Sequence, residues 1–176
     1  MILQPATSTM VLLASLLASQ MNLPVTPNGR IFLYNQKWNI PPGDGLFISV
    51  NFTGEKVFGS DLTYANNPVT DVLEETKTVN TRETYTINLF SRNVEAITRK
   101  HEVTFAFHST AAQQLCETNS MQIAPVPSSV VDTSSIEASA ELNRTSITIT
   151  VLRAYSQTNN AQFFDTFNTA ALLTNA

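Results

Sequence analysis

Cysteine is nearly missing from this chain. Cys116 is the only one in 176 residues, so no intrachain disulfide can form, no CxxC metal or redox site exists, and a reducing compartment is the natural inference. Charge is scarce as well. Asp, Glu, Lys and Arg make up 14% of the residues, sum to a formal charge of -4 and form no basic run, which argues against a primary nucleic-acid binder, because phosphate neutralisation needs clustered Lys and Arg. The two histidines, His101 and His108, fall two turns apart on one helical face, roughly 10 Å along the axis and too far to share a metal ion. No apolar run is long enough to span a bilayer. Met10–Leu23 has the apolar character of a signal peptide, yet no Lys or Arg precedes Arg30, so the basic n-region is missing.

Other absences concern catalysis. Pro41–Gly45 is glycine-rich but lacks the Lys-Ser/Thr of a phosphate-binding loop, and a tight turn between strands explains it. Glu74 and Glu75 are adjacent on an extended segment, so their carboxylates point to opposite faces and do not converge on one substrate. Cys116 sits near a helix C-terminus, without the cationic or N-terminal setting that activates a thiol. No nucleophile, base, metal set or cofactor motif converges, and the chain reads as a non-enzyme without cofactor or metal. What remains is a surface rich in Ser, Thr and Asn. Such a surface suits an extracellular protein or one largely covered by neighbouring subunits.

The organising stretch is Val79–Glu95. Thr84–Phe90 alternates, with Tyr85, Ile87 and Leu89 on one face and Thr84, Thr86, Asn88 and Phe90 on the other, the period of a half-buried strand. A helix follows almost at once, because Ser91 and Asn93 can accept from the amides of its first turn and Glu95 lies near the positive end of its dipole. A strand running directly into a helix must bury the helical stripe on a sheet. The fold class expected is therefore α+β: a mainly antiparallel sheet packed against one long helix and an N-terminal helix, with long protruding hairpins.

At 176 residues one domain, 1–176, is expected. Residues 6–23 read as the N-terminal helix, capped by Thr7 or Ser8, striped by Leu12, Leu13, Leu16 and Leu17, and stopped by Pro24. Arg30–Tyr34 and Leu46–Phe52 read as a hairpin closed by Trp38 and Ile40, and Thr53–Pro68 as a loop or a protruding hairpin. Val72–Phe90 reads as one unusually long strand with a bulge or bend near Thr81. Asn93–Thr118 is expected as the long helix, with Val94, Ile97, His101, Phe105, His108, Ala112 and Leu115 facing the sheet. Met121–Val126 and Ile136–Leu142 are shorter strands, and Ser146–Tyr155 is the cleanest β run. Residues 156–176 form a tail with Phe163, Phe164 and Phe167, which either fold back or dock on a partner.

Thr84–Glu95, Asn143-Arg144-Thr145, Thr150–Tyr155 and Phe163–Phe167, in the order strand, Ser-Arg-Asn, helix, strand, Leu-Arg-Ala-Tyr, aromatic tail, resemble the neck or tail-terminator proteins of contractile-tailed bacteriophages. The likeness covers roughly residues 76–167. It implies a virion protein made in the host cytoplasm and located at the head-tail junction. There it forms a homo-oligomeric ring, usually a hexamer, that caps the tail tube and sheath and meets the head-completion or connector protein. DNA passes through the lumen without specific binding, and no membrane is involved. Tyr155, Phe163, Phe164 and Phe167 are the expected subunit or partner contacts. The rival readings are another ring-forming virion part, such as a tail tube or head-completion protein, and a secreted adhesin or carbohydrate-binding domain.

Overall fold

The computed structural model describes residues 8–24, 29–33, 45–124, 127, 129–137 and 140–161, and of 135–137 and 140–141 the backbone alone. The Tyr85, Ile87, Leu89 alternation falls in the middle strand of an antiparallel trio: β2 (Phe47–Asn66), β3 (Leu73–Ser91) and β7 (Ala140–Asn160). A short strand β1 (Ile31–Leu33) lies on the outer edge of β2, and β4 (Met121–Ile123), β5 (Ser129–Asp132) and β6 (Ser135–Glu137) share the outer edge of β7. Four helical segments accompany them: α1 (Thr9–Gln20), α2 (Glu95–Thr98), α3 (Lys100–Phe107) and α4 (Thr110–Thr118). The architecture is thus a mainly antiparallel sheet combined with helices, the α+β class that a strand feeding a helix demands.

Ile48, Val50, Tyr85, Ile87, Leu89, Ile147, Ile149 and Val151 line one sheet face and pack on Leu13 and Leu17 of α1, Ala96 of α2, and Val103 and Ala106 of α3. Leu13, Leu16 and Leu17 form the buried stripe of α1. Ser8 stands at its N-cap position without a side-chain bond. The helix ends before Pro24, in a left-handed turn: Asn22 has φ 52°, and the Leu23 amide donates to the Ala18 carbonyl at 2.9 Å. That 6→1 closure tolerates Asn where Gly is commonest, and it tucks Leu23 into the core.

The strand-to-helix joint forms as the sequence predicts. The Ala96 amide donates to Ser91 Oγ and the Glu95 amide to Asn93 Oδ1, each at 2.9 Å, while Asn143 Nδ2 on β7 fixes the Asn93 carbonyl. The single long helix does not form. Asn93–Thr118 divides at Arg99 and at His108-Ser109. Ser109 explains the second break, because its Oγ accepts from the Ala112 amide and donates to the Ala106 carbonyl. One hydroxyl thereby caps α4 and stops α3, the competition with helical bonds that keeps Ser out of helix interiors. The breaks reset the helical phase. Ala96, Val103, Ala106 and Ala112 are buried, whereas Val94 and Phe105, expected against the sheet, are 64% and 70% exposed. Ala96, Val103 and Ala106 face the strands; of the predicted stripe Ala112 is buried and Leu115 packs against the core, while Val94, His101, Phe105 and His108 face outward.

Four further expectations are corrected. β1 runs parallel to β2, pairing Ile31 with Ile48 and Leu33 with Val50, so these runs are not a hairpin. Residues 34–46 supply the roughly dozen residues a parallel connection needs. Trp38, Ile40 and Pro41–Asp44 of the predicted hairpin closure lie outside the described residues. Thr53–Asn66 is the continuation of β2, and β3 itself pairs without interruption. The irregularities sit in β2, at Thr53 and Phe58, the second opposite Asn80 and Thr81. Residues 156–160 belong to β7, so they are strand and not tail.

Candidate functional site

Among the described residues, helices cover only the lower half of the trio. Towards the β2–β3 turn the same strands leave the helices behind, and from Phe52 to Asn66 most β2 side chains are exposed. In an antiparallel pair, opposed residues share a face and successive ones alternate. The pairings therefore sort this distal ribbon into two surfaces. One carries Val57-Thr81-Arg153, Ser60-Val79-Tyr155, Leu62-Lys77-Gln157 and Tyr64-Glu75-Asn159, and it is the outward continuation of the face the helices cover. The other carries Asp61-Thr78-Ser156 and Thr63-Thr76-Thr158, where hydroxyls join strands directly: Thr76 to Thr158 at 2.9 Å and Thr78 to Ser156 at 3.0 Å.

The ribbon is therefore amphipathic although nothing described covers it. Val57, Leu62 and Tyr64 on the first surface are 56%, 46% and 56% exposed. Its polar members form a local set in which Lys77 Nζ lies 2.6 Å from Glu75 Oε1 and Tyr64 Oη donates to Glu75 Oε2. The lysine hydrogen bond holds the Glu75 carboxyl below its usual range and raises the Lys77 ammonium. At the far end Asn67 builds the turn. Its Oδ1 accepts from the Val69 and Thr70 amides, its Nδ2 donates to Glu74, and Asp71 takes φ 53° to bring the chain back. Pro68 presets the first turn residue, so the loop is short and determined by its own side chains.

Where the covered root meets the ribbon, polar groups are buried. Glu83 is 2% exposed and accepts from Tyr85 Oη at 2.7 Å and Tyr155 Oη at 2.5 Å. Arg153, also buried, donates from Nη1 to Thr9 Oγ1 at 2.6 Å and stacks 4.9 Å above the Tyr155 ring. Burial, and then the neighbouring Glu83 carboxylate, raise both tyrosine hydroxyls above their ordinary range, Tyr85 the further, so both stay protonated donors. This group ties the start of α1 to β3 and β7 at the base of the ribbon. Its chemistry is that of a satisfied structural network, because each oxygen of the Glu83 carboxylate accepts a tyrosine hydroxyl and Arg153 bonds Thr9.

Of the residues singled out from the sequence, Tyr155 lies in this network, half-exposed at the ribbon's base. Phe163, Phe164 and Phe167 lie outside the described residues. His101 and His108 are exposed on α3 and at its C-cap, and Cys116 lines a shallow open cleft with Phe58, Met121 and Leu152. Among the described residues no three His, Cys, Asp or Glu side chains group as metal ligands, and no helix is long and apolar enough to cross a membrane. Glu83, Arg153 and Thr9 were missed by sequence reasoning. A signal existed: Glu83 continues the phase of Tyr85 and Ile87, and Arg153 that of Ile149 and Val151, so both alternations assign a charge to a core position.

No protein-family model matches the chain, and no curated protein is significantly similar to it.

Proposed function

We propose that this chain is a structural subunit of a contractile-tailed phage particle. It closes into a ring, of six copies, at the neck, ends the tail tube and sheath there and joins the tail to the head connector. The observation that carries the reading is the distal ribbon, whose Val57, Leu62 and Tyr64 are held in solvent on one surface of three long strands. Exposed apolar area costs about 25 cal/mol per Å² relative to burial, and a contiguous patch of it marks a contact. In this reading the ribbon is the long protruding hairpin of the family that the sequence resembles, and assembly supplies the cover a monomer lacks.

The partners follow from that role: further copies of the chain in the ring, the head-completion or connector protein on one side, and tube and sheath proteins on the other. The lumen passes DNA without binding it specifically, consistent with the -4 charge and the absence of any basic run. The role assigns no reaction, cofactor or membrane contact to the chain. Measuring the mass of the purified protein in solution tests the reading, together with its detection in purified particles at one ring per particle. A ring-sized species that becomes monomeric when Leu62 and Tyr64 are both changed to Ser is the expected result. A stable monomer absent from particles overturns it, and a copy number scaling with tail length favours a tube protein instead. Truncation after Ala161 separately tests the aromatic tail as a contact.

A further inference from the structure

Among the described residues the distal ribbon has two bare edges as well as an uncovered surface, and the edges match. β1 occupies the outer edge of β2 only at Ile48–Val50. On the opposite side β4 occupies β7 up to Arg153, and the Ala154 amide still donates to the Ser120 carbonyl. Beyond those points, among the described residues, neither the outer edge of β2 nor that of β7 has a ladder partner. The two free edges also stand at one height. Through β3, Ser60 is level with Tyr155, Leu62 with Gln157 and Tyr64 with Asn159.

The irregularities fall where a matching edge is missing. Of the β2 bulges, the one at Phe58 lies level with Arg153-Ala154, at the end of the β4 pairing, and the one at Thr53 lies level with Ile149-Thr150, where the Ala124 amide donates to the Thr150 carbonyl. From Gly59 to Asn66 the strand is regular, and that is the level at which β7 becomes bare. Bulges, lysines and prolines are the usual guards of an edge strand. Gly59–Asn66 contains a single charge, Asp61, and Tyr155–Asn160 contains none, with no Pro or Lys in either stretch. These edges are unguarded over the stretch where each has a counterpart.

Resting on the ring reading above, we infer that neighbouring copies join by parallel strand pairing, Gly59–Asn66 of one copy against Tyr155–Asn160 of the next. Both strands are antiparallel to β3 and so run in the same direction, from root to turn. Rotation about an axis along the strands therefore brings β2 of one copy beside β7 of its neighbour with parallel polarity. A two-fold contact would pair β2 with β2 or β7 with β7 and leave the other edge bare in both copies. The β2-to-β7 contact satisfies both edges of every copy with one repeated interface and closes on itself. The occupant of the ribbon's flank is a second copy of this chain, and the joined ribbons form a closed sheet with the Thr/Ser rows on one side and Leu62, Tyr64 and Tyr155 on the other.

Disulfide trapping tests this, because β3 separates β2 from β7 within one chain by two strand spacings, about 9.5 Å, beyond the reach of a disulfide. In a Cys116→Ser background, Thr63→Cys is combined with Ser156→Cys, Thr158→Cys or Asn160→Cys to allow for register, and the full chain is oxidised under native conditions. The expected result is a ladder of linked species ending at the mass of the ring for at least one combination, and none for the single-cysteine variants. Dimers from Thr63→Cys alone, or from a β7 cysteine alone, overturn the inference in favour of two-fold pairing. A ring by native mass with no crosslink in any combination overturns this pairing and leaves the ring reading standing, whereas a monomer by native mass overturns both.

Discussion

The root and the distal ribbon are built from the same three strands, with the same hydrogen-bond ladders running through both, and they differ in what lies on top. In the root, α1 and the α2–α3 segments cover Ile87, Leu89, Ile147 and Val151. In the ribbon the corresponding rows of Val57, Leu62 and Tyr64 face solvent. The comparison teaches that ladder bonds determine where the strands go, while the covering layer determines where the stability resides. A hydrogen bond exchanged with water contributes only about 1 kcal/mol net, whereas each fully buried aliphatic side chain contributes about 1.5–3 kcal/mol. The root is the folding core, and the ribbon depends on it.

The sharpest way to break the comparison is to mutate equivalent rows. Ile87→Ala, at a fully buried position, is expected to cost about 2–5 kcal/mol in chemical denaturation. Leu62→Ala is expected to change monomer stability by no more than about 0.5 kcal/mol. Equal losses at the two sites would show that the ribbon is covered in solution. Next in size is the boundary network. Glu83→Ala removes the acceptor of two tyrosine hydroxyls and is expected to cost about 2–4 kcal/mol, while Glu83→Gln, which keeps an acceptor, costs less. Hydrogen exchange should then report faster opening of residues 73–80 than of 85–91, and uniform loosening of β3 would contradict a boundary role.

A pH series sharpens the same point. Tyr85 and Tyr155 have folded-state values raised, first by burial and then by Glu83, so above the ordinary tyrosine value of about 10 the unfolded chain releases protons that the folded chain keeps. Stability is fully present below that pH and falls as pH rises through it. Tyr85→Phe should flatten this alkaline fall in a denaturation series, and an unchanged slope would exclude Tyr85 as its source. Smaller still is the turn ending α1. Asn22→Gly relieves the strained φ of 52° and should raise stability by up to about 1 kcal/mol, with Asn22→Ala lowering it. The smallest effect concerns Glu102, held below its usual range by the Arg99 hydrogen bond. This largely solvent-screened pair contributes at most about 0.5 kcal/mol, lost as pH falls through the depressed value, and Glu102→Gln should remove that acid-side loss.

Much of the scaffold was legible because periodicity reports burial. The Tyr85–Leu89 alternation, the hydroxyl and amide after it, the leucine stripe of α1 and the β-branched run at Ser146–Tyr155 each led to an element that forms. The failures share a cause. Spacing alone predicts one long helix, whereas the segment divides at Arg99 and again at Ser109, whose hydroxyl makes two backbone bonds, and Phe105 of the middle piece faces outward. Thr53–Pro68 reads as a loop or a protruding hairpin because its polarity follows no core. A strand needs only a neighbour to pair with, and β3 provides one.

By itself the sequence determined several local states: that the Tyr85–Leu89 and Ser146–Tyr155 runs extend, that helices begin after Ser91 and near Ser8, that charge is sparse, and that a single thiol allows no internal crosslink. Those are properties of neighbouring residues and of composition. Only the tertiary structure decided that β3 is central and β2 and β7 carry the edges, that Glu83, Arg153 and Thr9 meet at the base of the ribbon, and that the helices stop short of the strands they cover. Each of these joins residues far apart in the chain, Thr9 and Arg153 above all, and a contact of that kind exists only once the packing has brought its two ends together.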